Sequence, residues 1–208
     1  MIRLVCFDLG GVIMRICRSW TEGCRVAGLD VRGDADPLHL PSDGWRRVEA
    51  AYQTGRIDAR TYAERCSALV DGLYSPEEIR RIYDAWILGE YDGVEQMVLR
   101  IHEAGVHTAV LSNTSHEHWL HMRQYPAFRQ LRNKHGSHQL RVRKPDEAAY
   151  RALEKSTGCQ GGEILFFDDT DENVAAARRL GWTAEHVDPL GPTDGQMIQA
   201  LTAHGVFA

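Results

Sequence analysis

The chain has no long hydrophobic run, no block of one charge sign, no internal repeat and no low-complexity tract, and each absence removes a class of protein. The apolar start from Ile2 to Phe7 meets an acid at Asp8. That is too soon for a signal peptide or a membrane span, so a cytoplasmic protein without membrane contact is expected. Lys and Arg number 24 against 29 Asp and Glu, a formal net charge of -5, and the basic residues are scattered. A surface of that sign repels a polyanionic backbone, so nucleic acid is not expected as a partner. Cysteine is sparse and odd in number: Cys6, Cys17, Cys24, Cys66 and Cys159 show no paired spacing. This argues against a disulfide framework and for a reducing compartment. Cys17 and Cys24 stand too far apart for a zinc knuckle, and no second pair follows.

What is present fits one substantial core with a smaller lobe: 208 residues, 43% hydrophobic and 25% charged. Ile2 to Phe7 is a β-branched and aromatic run stopped by Gly10-Gly11, which reads as a buried strand. Val106 to Leu111, Ile164 to Phe167 and, more weakly, Trp182 to Val187 read the same way. Between and after them, Val94 to Glu103, Asp146 to Ser156, Glu172 to Leu180 and Asp194 to Ala203 carry apolar residues at helical spacing. Gly105 and Gly181 follow the last periodic residues of two of these helices, where a left-handed residue closes the turn. Strand then helix, repeated, predicts a doubly wound parallel α/β sheet of Rossmann-like form.

Residues 14–91 interrupt the alternation. Glu49 to Cys66 is helical on both sides of Thr54-Gly55-Arg56, and Ser75-Pro76-Glu77-Glu78 is a helix start with Ser as cap and Pro at the first position. A helical insertion after the first strand, 14–91, set into a core of 1–13 and 92–208, is the economical division.

In an open parallel sheet, ligands bind at the carboxyl ends of the strands. Polar groups sit there at three ends: Asp8, Ser112-Asn113-Thr114 and Asp168-Asp169. Lys144-Pro145, after the polar stretch 132–143, returns the chain to the same edge. Each piece has a plainer explanation. A strand-end Asp is often a turn or helix cap, Asp168 to Asp171 suits a helix N-terminus, and Lys144 can be a surface lysine. Their joint occurrence at three strand ends favours a site. Three converging carboxylates repel unless compensated, and a hard divalent cation with oxygen ligands, magnesium, removes the difficulty. Ser and Lys donors can hold the non-reacting oxygens of a phosphoryl group while one carboxylate attacks phosphorus. His116, His118 and His121 suggest a zinc site, but a rather exposed helix after Ser112 is the plainer expectation.

Asp8-Leu9-Gly10-Gly11-Val12, Val110-Leu111-Ser112-Asn113-Thr114, Arg143-Lys144-Pro145-Asp146 and Phe166-Phe167-Asp168-Asp169, in this order, resemble the four motifs of the haloacid dehalogenase (HAD) superfamily of hydrolases. The resemblance spans essentially the whole chain. It is closest to helical-cap phosphatases of the alpha-D-glucose-1-phosphate phosphatase type, which Thr54-Gly55-Arg56-Ile57, Asn173 and Ala176-Ala177 also fit. It implies a HAD core with the insertion as a cap, and Asp8 as nucleophile. Lys144 joins Asp8 in the catalytic set, and Ser112, Asn113 and Lys144 bind substrate. Magnesium is implied at Asp8, Asp168 and Asp169, with the carbonyl of Gly10.

One departure matters. Most phosphatases of the superfamily carry a second Asp two residues after the nucleophile as general acid and base, and this chain has Gly10. Such catalysis contributes about 10²–10⁴-fold, so activity is expected to be weakened and to favour leaving groups that tolerate negative charge, such as anomeric, acyl or aryl esters. The glucose-1-phosphate phosphatase type itself tends to carry Gly there.

The expected function is magnesium-dependent hydrolysis of a small phosphorylated metabolite, with a sugar phosphate as one form, by a monomer or homodimer. The alternatives are a metal-free dehalogenase using Asp8 and a phosphate-ester-binding protein without turnover. Arg15, Trp20, Trp45, Arg46 and Arg56 are candidates to line the space beneath the cap. The polar stretch 132–138 is expected as a sheet-edge strand.

Overall fold

A computed structural model describes residues 1–33 and 43–207. The chain begins with β1 (Leu4–Phe7), β2 (Met14–Ile16), α1 (Trp20–Val26), α2 (Asp43–Gln53), α3 (Ala59–Leu69), α4 (Pro76–Asp84), β3 (Ile87–Glu90) and α5 (Val94–Glu103). It continues with β4 (His107–Ser112), α6 (His116–Met122), α7 (Pro126–Gln130), β5 (Lys134–Gly136), α8 (Ser137–Leu140) and α9 (Glu147–Thr157). β6 (Ile164–Asp168), α10 (Asp171–Arg179), β7 (Thr183–His186) and α11 (Thr193–Ala203) complete it.

Five strands form one parallel sheet in the order β5-β4-β1-β6-β7. β1 lies in the middle, and all of its side chains are fully buried. Its period of two divides the interior: Val5 and Phe7 enter the core under α5 and α11, while Leu4 and Cys6 enter the core under α9 and α10. A sheet covered on both faces needs continuous apolar strands, which is why β1, β4 and β6 were legible as runs rather than as alternations.

β5 is at the edge, as expected for the polar stretch 132–138, but is ordered as strand only over Lys134–Gly136. Its Lys134 ammonium bonds the carbonyl of Leu131.

Within 14–91, α1 to α4 gather around a third apolar cluster that includes Trp20, Trp45, Tyr52, Tyr62, Tyr74 and Ile79. Ser75 caps α4 as expected, and with Glu78 it closes a capping box. The stretch is not wholly helical: β2 and β3 pair as an antiparallel ribbon, Met14 opposite Glu90, at the junction with the sheet. Strands of three and four residues are too short for a periodic signal. Residues 34–42 of this stretch lie outside the described residues.

α6 meets the expectation of an exposed helix only in part: His116, Leu120 and His121 are exposed, but His118, Trp119 and Met122 are buried, with Trp119 and Met122 in the core and His118 bonded to the Tyr83 carbonyl. Among the described residues no helix is long and apolar enough to cross a membrane.

Candidate active site

Register places the acids. Phe7 pairs with Phe167 across β1 and β6, and Asp8 N–H donates to the Phe167 carbonyl at 2.8 Å, so Asp8 and Asp168 leave the sheet side by side. One carboxylate oxygen from each of Asp8, Asp168 and Asp169 lies within 4.8 Å of the others. On the other flank, Phe7 pairs with Val110, which sets Ser112 at the same edge of the sheet.

Lys144 is no surface lysine. Its side chain is 1% exposed, with Nζ 3.0 Å from Asp8 Oδ1 and 2.5 Å from Asp168 Oδ2. Burial pulls the ammonium pKa down, but the charges of Asp168 and Asp8 outweigh it and leave the pKa raised. Asn113 fixes the lysine from behind. Its Oδ1 accepts from Lys144 N–H at 2.8 Å, and its Nδ2 donates to the Lys144 carbonyl at 2.9 Å. The Asn113 amide, expected to bind substrate, is thus engaged at both ends in positioning Lys144.

Asp168 is fully buried and saturated. Oδ2 takes Lys144 and Asn173 Nδ2, the latter at 3.2 Å; Oδ1 takes Asn173 Nδ2 at 3.0 Å and Thr170 N–H at 2.9 Å. Asp8 and Asp169 are less committed. Asp8 Oδ1 is buried without a well-directed hydrogen bond, although Lys144 Nζ stands 3.0 Å away; we read this contact as ionic rather than as a formed hydrogen bond. Burial, opposed by Lys144 and aided by Asp168 and Asp169, pushes the Asp8 carboxyl up to about 6. Asp169 Oδ2 accepts both terminal nitrogens of Arg18 at 3.0 Å.

The glycine pair after Asp8 is part of this construction. Gly11 adopts a φ of +80°, and a Cβ there would overlap Asp169 Oδ2. At Gly10 a Cβ would stand 3.0 Å from the Ile16 side chain, so β2 fills the space that a second acid would need.

A magnesium ion fits this donor set. The oxygens are hard, three carboxylates converge with two of them on one lysine ammonium, and Gly11 leaves open the side of Asp169 that any other residue would fill. Of the three carboxylates, Asp8 and Asp169 have the freer oxygens, and Asp168 is consumed in holding Lys144. The histidines make no such set. His118 Nε2 donates to the Tyr83 carbonyl at 2.7 Å with its ring stacked on Tyr83, while His121 faces Gln124 and Tyr125. Among the described residues the acidic trio is the only grouping of metal-binding side chains.

Beside the acids lies a cavity of about 180 Å³ between the strand ends and the 14–91 helices. Its floor includes Gly10, Ser112, Asn113 and Thr114. Of the residues expected to line it, Trp20 and Trp45 do so; Arg15, Arg46 and Arg56 do not, and Arg56 instead borders a separate groove with His116 and Arg141. The two sides are tied by Ser137, whose Oγ donates to the Gln53 carbonyl at 2.6 Å and accepts from Thr114 N–H at 2.9 Å. Tyr52 OH adds a bond to Glu117 at 2.8 Å, and the Arg141 guanidinium bonds the Gly55 carbonyl.

Sequence reasoning missed Arg18 and the positioning roles of Asn113 and Asn173. Nothing local marks Arg18, since its partner is 151 positions away. Asn173 had a signal, standing one turn past an acidic pair at a helix start.

A family model described as haloacid dehalogenase-like hydrolase matches residues 2–181. This chain belongs to the haloacid dehalogenase-like hydrolases. Solved structures of HAD enzymes share its fold. A predicted HAD-like family hydrolase from Porphyromonas gingivalis is 20% identical with a TM-score of 0.76, over 97% of this chain and 98% of that one. A HAD family enzyme from Bacteroides thetaiotaomicron, in complex with magnesium and inorganic phosphate, is 18% identical with a TM-score of 0.72, over 92% and 96%. The L-2-haloacid dehalogenase from Xanthobacter autotrophicus, with chloropropionic acid covalently bound, is 17% identical with a TM-score of 0.62, over 100% and 85%.

Proposed function

We propose that this HAD hydrolase is a magnesium-dependent phosphatase that cleaves a small phosphomonoester through an aspartyl-phosphate on Asp8. The observation that carries the reading is the grouping of Asp8, Asp168 and Asp169 oxygens within 4.8 Å, with Lys144 Nζ 3.0 Å from Asp8. A metal-free dehalogenase has no need of the second and third acids.

Asp8, Asp169 and the Gly10 carbonyl would hold the metal, with Asp168 beside them fixing Lys144, and the metal would supply charge neutralisation at the phosphoryl group. An Asp8 oxygen attacks phosphorus, the bond from phosphorus to the ester oxygen breaks, and the alkoxide leaves and takes a proton from water, since Gly10 supplies no acid. Water then hydrolyses the acyl phosphate and frees Asp8. Lys144 keeps Asp8 ionised and, with the Ser112 hydroxyl, binds the non-reacting oxygens. Asn113 and Asn173 hold Lys144 and Asp168 in place. The helices of 14–91 act as a cap that excludes water from the cavity, and the substrate is a small phosphorylated metabolite rather than a macromolecule or lipid surface.

The narrower reading from the sequence, a glucose-1-phosphate phosphatase, has Gly10 in its favour, because an anomeric leaving group departs more readily without a general acid, but the aromatic lining of the cavity speaks against a polyol.

The test is phosphate release from a panel of esters with and without magnesium, for the wild type and Asp8→Asn. Metal-dependent release abolished by Asp8→Asn supports the reading. Halide release from 2-haloacids without metal, or ester binding with no turnover, overturns it.

A further inference from the structure

The cavity beneath the α1–α4 layer has a specific chemistry. Its walls carry five aromatic rings, from Trp20, Trp45, Tyr62, Tyr83 and Trp86, among aliphatic side chains, and no lysine or arginine lines it among the described residues. Helix α2 contributes Trp45, Glu49 and Gln53, spaced four apart and therefore on one face of the helix. Glu49 makes no ion pair among the described residues; its one hydrogen bond there is from Gln53 Nε2, at 3.4 Å. Gln53 Oε1 is buried with no donor. The wall therefore presents two acceptors that lack strong donors, one of them negatively charged, in an aromatic surround.

His118, the histidine on the wall, is held neutral, since burial pushes its pKa down to about 4. Burial also raises the Glu49 carboxyl pKa, with Arg143 opposing more weakly from outside the lining. A bound cation removes that burial penalty.

An aromatic enclosure with a carboxylate attracts an organic cation by ring electrostatics and by charge. Acceptors without donors select a cation that bears N–H groups. A polyol fits less well, because each buried hydroxyl needs a partner of its own. The volume, near the roughly 150 Å³ of a dry cavity that holds benzene, suits a compact leaving group.

We propose that the substrate's leaving group is a short apolar chain or ring ending in a protonated amine, which Glu49 and Gln53 receive within the aromatic walls. This rests on the phosphatase reading.

The experiment compares kcat/KM for two pairs of near-isosteric esters, 2-aminoethyl with propyl phosphate and 4-aminobutyl with pentyl phosphate. Glucose 1-phosphate serves as the polyol. The expected result is at least a tenfold preference for the amine in one pair. In Glu49→Gln that preference falls to about one, while the neutral esters are hydrolysed as before, which shows the variant is folded. Equal or better turnover of the neutral esters or of glucose 1-phosphate overturns the proposal, as does a preference that survives Glu49→Gln. If no ester is hydrolysed, the phosphatase reading fails, and calorimetry of 4-aminobutanol against 1-pentanol reads the cavity by itself. Tighter binding of the amine in the wild type alone supports the proposal, and equal binding overturns it.

Discussion

The Ile16 side chain stands 3.0 Å from where a Cβ on Gly10 would lie. The glycine and the isoleucine are a fitted pair: β2 packs against the backbone at the position where most HAD phosphatases carry their general acid. Gly10→Asp alone must displace Ile16, so it is expected to cost about 1–3 kcal/mol by overpacking and to gain little activity. With Ile16→Ala the carboxyl has room, and phosphate release from an alkyl ester should rise by roughly ten- to a hundredfold, within the range for general acid–base catalysis. Initial rates and thermal melts of the single and double variants check this. A single variant that is both active and stable would show that Ile16 is no obstacle.

Lys144, itself buried, neutralises two carboxylates. Lys144→Met leaves the fully buried Asp168 with only neutral donors, and losing one partner of a buried pair costs about 3–5 kcal/mol. The variant should be destabilised by that order in metal-free buffer, and the deficit should shrink when magnesium is added. Urea titrations in both conditions measure it. A deficit independent of magnesium counts against metal binding beside Lys144.

Arg18 and a bound metal ion would compete for Asp169 Oδ2, because both guanidinium nitrogens already hold that oxygen at 3.0 Å. The Arg18 side chain is 38% exposed, so the ion pair is worth no more than about 1 kcal/mol. Arg18→Ala should therefore tighten magnesium binding by up to about fivefold, read by calorimetry. Weaker binding would mean that Arg18 supports the metal site rather than blocking it.

His118 makes the contact between α6 and the end of α4 sensitive to pH. Burial lowers its pKa from 6.5 to about 4, so the unfolded chain takes up a proton between these values while the native fold does not. Stability from this group is present above about pH 6.5 and is lost as the pH falls towards 4, by at most about 3 kcal/mol. His118→Gln retains a donor for the Tyr83 carbonyl but cannot titrate. The stability difference between wild type and variant should change across that window, as followed by denaturant unfolding at a series of pH values. A constant difference would refute the assignment.

The sequence by itself determined the sheet and which acids lie at its edge. Buried parallel strands must be continuously apolar, so β1, β4 and β6 declare themselves, and each ends at or just before a polar residue. The motif order then tied Asp8, Ser112, Lys144 and the pair Asp168-Asp169 to one edge. Tertiary structure alone decided what those residues touch: that Asn113 clamps Lys144, that Arg18 reaches Asp169, that Ile16 fills the space above Gly10, and that Glu49 and Gln53 look into an aromatic cavity. Periodicity reports which face of an element is buried, but not which residue from a distant part of the chain covers it. Pairings across more than a hundred positions, such as Arg18 with Asp169, are set by packing and leave no local trace.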